Sequence, residues 1–376
     1  MKNILYIITH LGTGGAQEYL LSILDHINHS KYNVSVIAGY KKKNFTTKSP
    51  VEFIIIPELK RQISPINDLK ALYKIMLVIR HNDIEIVHTN SSKAGILGRI
   101  AAKLCAVKKI IHTVHGYPFD AKIGMTKKFM YFLIEKFVSL FTDKIITVAR
   151  WNREKGIHLK IANREKFTLI RNGFDIEKIT SAAMKKAPAH IQKFCDSFDT
   201  VIGTVWRIDP AKGYPTFIKA AAQFLKANSE NKTGFVMVGD GPDRKLLEQL
   251  VAKTQNPDRF LICGDESNVF PILKLFDVFW LTSYWESLPR SICEALIVGT
   301  PVIAPLITGI PEVIIDEVTG LCYKVRDCNA LVSKTLTLLA NPDLKNRLLV
   351  SGYNLIESEF SIRETVTKLD FIYQNC

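Results

Sequence analysis

The chain has 376 residues, long for one compact domain and comfortable for two, and its 47% apolar content with 20 glycines and 15 prolines excludes a disordered, collagenous or low-complexity protein. Its formal net charge of +14 lies wholly in the first half: residues 1–200 carry 32 lysines and arginines against 16 acids, and residues 201–376 carry 18 against 20. A basic half attracts nucleic acid, anionic lipid or phosphorylated substrates, and the charge sum does not separate these.

Seven cysteines at positions 105, 195, 263, 293, 322, 328 and 376 form no C-x-x-C pair, which argues against a disulfide framework or a zinc site and fits a reducing cytosol. No apolar run approaches the roughly 20 residues of a membrane span. The apolar stretch over residues 4–8 is about half of the roughly 7–15 residues of a secretion-signal core and leads straight into Gly12-Thr13-Gly14-Gly15. It is expected to be the first strand.

From there, strand-like runs over 4–9, 34–38, 53–56, 84–89, 109–115 and 144–148 alternate with helix-like runs over 16–27, 68–80, 93–104 and 127–141. That order predicts a parallel sheet with helices on both faces. Residues 125–141 mix Lys127, Lys128 and Lys136 with exceptional apolar content, and two readings stand: a helix lying on a membrane surface, or a core helix with lysines at its rim.

The rhythm weakens around residues 172–199 and then restarts, with strands over 201–205, 235–238, 260–263, 278–281, 302–304 and 320–323 and helices over 214–226, 244–252, 289–298 and 329–339. The expected fold class is α/β, with two doubly wound Rossmann-like domains facing across a cleft. The expected boundaries are a first domain over 1–172, a linker over 173–199, a second domain over 200–354, and a terminal helical segment over 355–376 that returns to the first domain.

Ligands of open parallel sheets sit beyond the carboxyl ends of the strands, so chemistry is sought in the loops that follow them. Glu286 and Glu294, eight positions apart, stand in the second domain after a near-continuous apolar run over 276–282. Glu286 is expected in a strand-to-helix loop, and Glu294 one turn inside a helix that Pro289 starts and Gly299 stops. The amides of Ser287, Leu288, Pro289 and Arg290 mark a helix start suited to phosphate, proline itself contributing only the turn, while carboxylates beside it suit neighbouring hydroxyls. Solvated surface glutamates are the competing reading. Arg207 and Lys212 follow the strand over 201–205 and can neutralise a diphosphate leaving group, unless they only solvate a loop. Gly239 lies in the tight turn Gly239-Asp240-Gly241-Pro242.

In the first domain Gly14 and Gly15 let a phosphate or sugar approach the backbone, or merely make a turn. Asn90, Ser91, Ser92 and Lys93 offer polar groups to acceptor hydroxyls, although Ser91 or Ser92 also suits a helix cap. His115 ends a strand beside a glycine and is favoured for function over structure.

Read in order, these pieces resemble the family 4 retaining glycosyltransferases of the GT-B fold. The motifs are Gly14-Gly15, His115-Gly116, Arg171-Asn172-Gly173-Phe174-Asp175, Arg207 with Lys212-Gly213, Gly239-Asp240-Gly241-Pro242, Glu286 to Glu294, and Thr308-Gly309-Ile310-Pro311-Glu312 with Thr319-Gly320-Leu321. The resemblance implies that Arg207 and Lys212 bind the donor diphosphate, Glu286 the donor sugar and Glu294 the ribose, with His115 beside the reacting sugar. It also implies retention of configuration and no metal or other cofactor. Ser287 and Trp206 stand where many relatives have glycine, which narrows the donor pocket.

The expected function is therefore transfer of a hexose or N-acetylhexosamine from a UDP-linked donor to an undecaprenyl-diphosphate-linked saccharide in capsule, lipopolysaccharide or related surface glycan assembly. The expected place is the cytoplasmic face of the bacterial inner membrane, held peripherally by the basic first domain and without nucleic acid as a partner. A UDP-sugar epimerase of the same architecture and a nonenzymatic basic binding module are the alternatives.

Overall fold

The computed structural model describes residues 1–12, 14–41, 47–120, 123–286 and 288–375. They form two compact units, Met1–Phe174 with Phe360–Cys376 and Asp175–Glu359. The first unit runs β1 (Lys2–Ile8), α1 (Gly15–His26), β2 (Tyr32–Ala38), β3 (Glu52–Ile55), α2 (Pro65–His81), β4 (Ile86–Asn90), α3 (Ser92–Leu104), β5 (Lys109–Val114), α4 (Met125–Ser139), β6 (Lys144–Thr147), α5 (Arg150–His158) and β7 (Phe167–Leu169). Its strands are all parallel in the order β3-β2-β1-β4-β5-β6-β7. A parallel sheet needs a crossover for each strand, and the crossover helices cover both faces. Hence β1 is buried through Ile4–Ile8, with Ile4, Tyr6 and Ile8 packed in one core cluster and Leu5 and Ile7 in another.

The second unit runs α6 (Ile176–Ala183), α7 (Ala189–Cys195), β8 (Thr200–Val205), α8 (Tyr214–Ala227), β9 (Thr233–Val238), α9 (Arg244–Ala252), β10 (Phe260–Gly264), α10 (Phe270–Leu273), β11 (Val278–Trp280), α11 (Arg290–Val298), β12 (Val302–Pro305), β13 (Leu321–Tyr323), α12 (Cys328–Leu339) and α13 (Pro342–Glu359). Its sheet is also parallel, in the order β10-β9-β8-β11-β12-β13. Trp280 is fully buried in its core against Phe217, and its Nε1–H donates to Thr335 Oγ1 at 2.9 Å, so the indole adds volume without an orphaned donor. The two units share a device at the amino edge of their sheets. Asp143 accepts from the amide of Ile110 at 2.7 Å and Asp277 from that of Val201 at 2.8 Å, satisfying a strand-end donor beside each.

A last helix, α14 (Ile362–Asn375), belongs to the first unit. Leu369, Ile372 and Tyr373 enter the core with β1 and α1, Lys2 and Lys109 donate to backbone carbonyls at 372–373, and Tyr32 Oη donates to Asp370 at 2.6 Å. Cations on the last carbonyls of a helix satisfy groups that have no partner within it.

The structure adds elements that the sequence pattern did not signal. Residues 173–199 hold the short helices α6 and α7, and β7 is a three-residue edge strand. Pro289 flanks α11 as its N-cap with extended backbone, so the helix begins one residue later than expected, and Gly299 caps it in the left-handed conformation. On α4 only Glu135, Val138 and Ser139 are buried, while Met125, Phe129, Leu133 and Phe137 are exposed. Its apolar content is thus mainly outside the core. Glu135 reaches inward to a buried 2.8 Å ion pair with Arg99 of α3.

Replacing Leu369 with alanine removes a side chain that is 1% exposed, at a cost of about 2–5 kcal/mol. Hydrogen exchange should then speed in α1 and β1 and stay unchanged in β8 and β11; equal acceleration in both units would contradict the assignment of α14 to the first.

Candidate active site

In each sheet the strand order reverses direction once, between β1 and β4 and between β8 and β11, and the loops at the carboxyl ends of those strands hold most of the singled-out residues. In the second unit, β8 runs into Trp206 and Arg207, then a short turn over Pro210–Lys212. Asp209 opens that turn by accepting from the Ala211 amide at 2.9 Å. Gly213 closes it at φ 68°, with the Thr282 carbonyl 2.0 Å from where a Cβ would stand, so conformation and space both demand glycine.

The loop after β11 is laced to this turn. The Tyr284 amide donates to Ala211 O at 2.7 Å, Thr282 Oγ1 donates to Lys212 O at 3.1 Å, and the Tyr284 ring lies under the Arg326 guanidinium at 4.5 Å. The result brings Lys212 Nζ to 2.5 Å from Glu286 Oε1, which also accepts from Ser283 Oγ at 2.9 Å. The backbone carbonyl of Glu286 accepts from Thr308 Oγ1. Arg207 is exposed and has no partner among the described residues. Leu288 and Pro289 are buried, and Glu294 lies one turn inside α11 at 3.4 Å from Arg290. Ser287 lies outside the described residues. Gly239, at φ 122°, lets its loop touch the first: a Cβ there would stand 1.8 Å from the Trp206 carbonyl.

In the first unit, Asn90 ends β4, Ser91 follows it, and His115 follows β5. His115 Nε2 donates to Asn90 Oδ1 at 3.0 Å, and the Tyr19 ring meets the imidazole edge-on at 5.1 Å. Burial pushes the His115 imidazole down to about 4, so it is neutral at pH 7 and offers Nδ1 as an acceptor. Asn90 Nδ2 is buried without a partner. Ser91 has a left-handed φ of 66° and shares a 2.6 Å hydrogen bond with Thr9 Oγ1, so its hydroxyl ties β4 to β1 and does not cap α3. Ser92 begins α3 half-buried, and Lys93 turns to Asp68 at 2.5 Å and to the Gln62 carbonyl. Gly14 and Gly15 stand at the start of α1 as its N-cap and first residue.

Family models match both halves: Glycosyltransferase Family 4 over residues 13–178 and Glycosyl transferases group 1 over residues 190–354. The chain is 32% identical over 328 residues to the UDP-Gal:alpha-D-GlcNAc-diphosphoundecaprenol alpha-1,3-galactosyltransferase of Escherichia coli, covering 84% of this chain and 83% of that one. The chain belongs to the glycosyltransferases. A capsular polysaccharide biosynthesis glycosyltransferase of Staphylococcus aureus is 26% identical over 85% of this chain and 84% of its own. Anabaena HepE, solved with UDP-glucose, superposes over the full length of both chains with a TM-score of 0.80 at 19% identity, which shows the GT-B fold.

Sequence alone gave no role to three side chains of this glycosyltransferase's candidate site, one of them, Thr308, standing inside a motif already singled out. Ser283, Tyr284 and Thr308 each meet Glu286 or the loop that carries it. The signal for Ser283 and Tyr284 was position: they stand three and two residues before Glu286, just beyond a buried strand, where hydroxyls need partners.

The buried histidines generate a pH dependence. Burial pushes His88 down to about 3 and His115 to about 4, against about 6.5 in the unfolded chain. Between pH 6.5 and these values the unfolded glycosyltransferase binds protons that the folded one refuses, so stability present above pH 6.5 is lost as pH falls. Urea midpoints for the first unit should drop from pH 7 to pH 4.5, and His88→Gln should flatten that slope; a slope unchanged in the variant would rule His88 out as a source.

Proposed function

We propose that the glycosyltransferase moves a hexose or N-acetylhexosamine, with retention, from a UDP-linked donor to a polyprenyl-diphosphate-linked saccharide in surface glycan assembly. The observation that carries this is the carboxylate of Glu286 set against Lys212 at the point where the second sheet reverses, with the exposed Arg207 on the same loop as Lys212. Support for the substrates comes from the Escherichia coli relative, whose name gives a UDP-galactose donor and a diphosphoundecaprenol acceptor.

In this reading Arg207 and Lys212 bind the diphosphate, Glu286 takes hydroxyls of the sugar and Glu294 takes the ribose, while in the first unit neutral His115 offers Nδ1 to a substrate hydroxyl. Gly239, Leu288, Pro289 and Arg290 border the nucleotide, and in the first unit Asn90 and Ser92 line the acceptor side, Ser91 being held by Thr9 and Lys93 by Asp68 and the Gln62 carbonyl. The bond from the anomeric carbon to the β-phosphate oxygen breaks, and the acceptor oxygen bonds to the same carbon on the same face. The departing diphosphate takes the acceptor's proton. The two cations stabilise the charge that develops on the leaving group, a role that metal ions fill in other enzymes.

Membrane contact belongs to the same proposal. Among the described residues no helix is long and apolar enough to cross a membrane. The first unit carries 30 lysines and arginines against 14 acids, and the second 20 against 22. On the first, α4 exposes Met125, Phe129, Leu133 and Phe137 at steps of four, with Lys127 and Lys136 beside them. The neighbouring helical layer exposes Ile66, Leu69 and Tyr73 on α2. Apolar stripes flanked by lysine suit an anionic bilayer surface.

Lys212→Ala should lower kcat by roughly a hundred- to a thousandfold on a UDP-sugar and a polyprenyl-diphosphate saccharide while the melting temperature stays within a few degrees. Turnover by the wild type should survive excess EDTA, and loss that added Mg²⁺ restores would replace the cationic pair with a metal. Epimer formed from the donor, without transfer, would defeat the reading. For the membrane face, the double change Phe129→Ser and Leu133→Ser should abolish co-sedimentation with vesicles containing phosphatidylglycerol and leave UDP affinity intact; unchanged sedimentation would remove α4 from the contact.

A further inference from the structure

The carboxylate of Glu286 is held unevenly. Oε1 accepts both Lys212 Nζ at 2.5 Å and Ser283 Oγ at 2.9 Å, whereas Oε2 has no partner among the described residues. The two donors differ in freedom. Lys212 reaches the carboxylate along a flexible four-carbon stem, and its side chain keeps about a quarter of its exposure. Ser283 is fully buried and has one rotatable bond to its hydroxyl. Its backbone is clamped on either side: Thr282 Oγ1 is bonded to Lys212 O, and Tyr284 is fixed by its amide bond to Ala211 O, by the Arg326 guanidinium and by a 2.9 Å hydrogen bond with Thr216 Oγ1.

A diphosphate carries more negative charge than one carboxylate and competes for the same ammonium. We propose that Ser283 is a positioning residue for the donor sugar. When the diphosphate draws Lys212 away, the Ser283 hydroxyl keeps Oε1 of Glu286 turned inward and Oε2 turned toward the hydroxyls of the sugar. Lys212 is then the exchangeable half of the carboxylate's support and Ser283 the fixed half. This rests on the donor-binding reading of Glu286 given above.

The prediction separates the sugar from the nucleotide. Titration calorimetry with UDP and with the UDP-sugar that the wild type turns over should show Ser283→Ala binding UDP within about twofold of wild type, because its phosphate contacts are untouched, but losing the extra affinity that the sugar confers. Its kcat/KM should fall roughly ten- to a hundredfold, the loss of a hydrogen bond to a charged group, and Ser283→Thr, which keeps the hydroxyl, should recover most of it. A merely structural role would weaken UDP and UDP-sugar equally, and that result overturns the proposal, as does an unchanged kcat/KM. Should Ser283→Ala melt early, Ser283→Cys carries the same comparison with a side chain of similar size and a weak donor. If the wild type binds neither UDP nor any UDP-sugar, the donor-binding reading itself fails; binding with an indifferent Ser283→Ala defeats only the role of Ser283.

Discussion

Every strand in both sheets is parallel, and the rest of the molecule follows from that constraint. Parallel neighbours cannot be joined by hairpins, so each strand returns by a crossover, mostly through a helix, each sheet is covered on both faces, and every loop leading into a crossover helix leaves the same edge. Where the order reverses, between β1 and β4 and between β8 and β11, neighbouring loops diverge to opposite faces and leave room between them. Thr9, Asn90, Ser91 and His115 meet at the first reversal. Lys212, Ser283, Tyr284 and Glu286 meet at the second.

The two reversal points answer the same geometric problem with different chemistry. The second is charged: a lysine and a glutamate nearly neutralise each other, with a free guanidinium close in sequence, in a unit whose charges almost balance. Such a pair leaves neither buried ion uncompensated. The first is neutral where it matters, because burial keeps His115 uncharged and Asn90 fixes its tautomer. The strong positive charge of that unit lies elsewhere, on surfaces such as α4 where lysines flank exposed apolar side chains. The neutral polar pair and the charged apolar surface therefore lie on different elements of the first unit.

Much of this was legible in sequence because buried parallel strands are short apolar runs with polar loops after them. The run over 276–282 gave β11 and placed Glu286 beyond its end, and the glycines at 213 and 299 stand where left-handed backbone is needed. What was not legible depended on partners distant in the chain. Lys93 looked available to a ligand until Asp68 and the Gln62 carbonyl claimed it. Ser91 looked like a cap until Thr9 engaged its hydroxyl. Ser283 carried no pattern of its own, since one buried serine before a loop resembles any other. The segment 125–141 was apolar and basic at once, and the packing separates the two faces: Glu135 and Val138 mark the inner one, Phe132 packs toward Phe119, and Phe129 and Phe137 lie outside.

The terminal helix shows how far such long-range partnerships extend. On β4 and β5, His88 and Asn90 share one face, as do Thr113 and His115, two residues apart in each strand. They make two rungs: His88 Nε2 with Thr113 Oγ1 at 2.7 Å, and Asn90 with His115 above it. The lower rung is gripped by α14, since Tyr373 Oη lies 2.6 Å from both His88 Nδ1 and Tyr6 Oη. A buried neutral histidine has one donor and one acceptor, so the hydroxyl that meets its Nδ1 also sets which nitrogen meets Thr113. Residues more than 280 positions apart in sequence thus fix the floor on which His115 rests. Tyr373 of α14 supports, through His88, the edge of the first sheet where Asn90 and His115 meet.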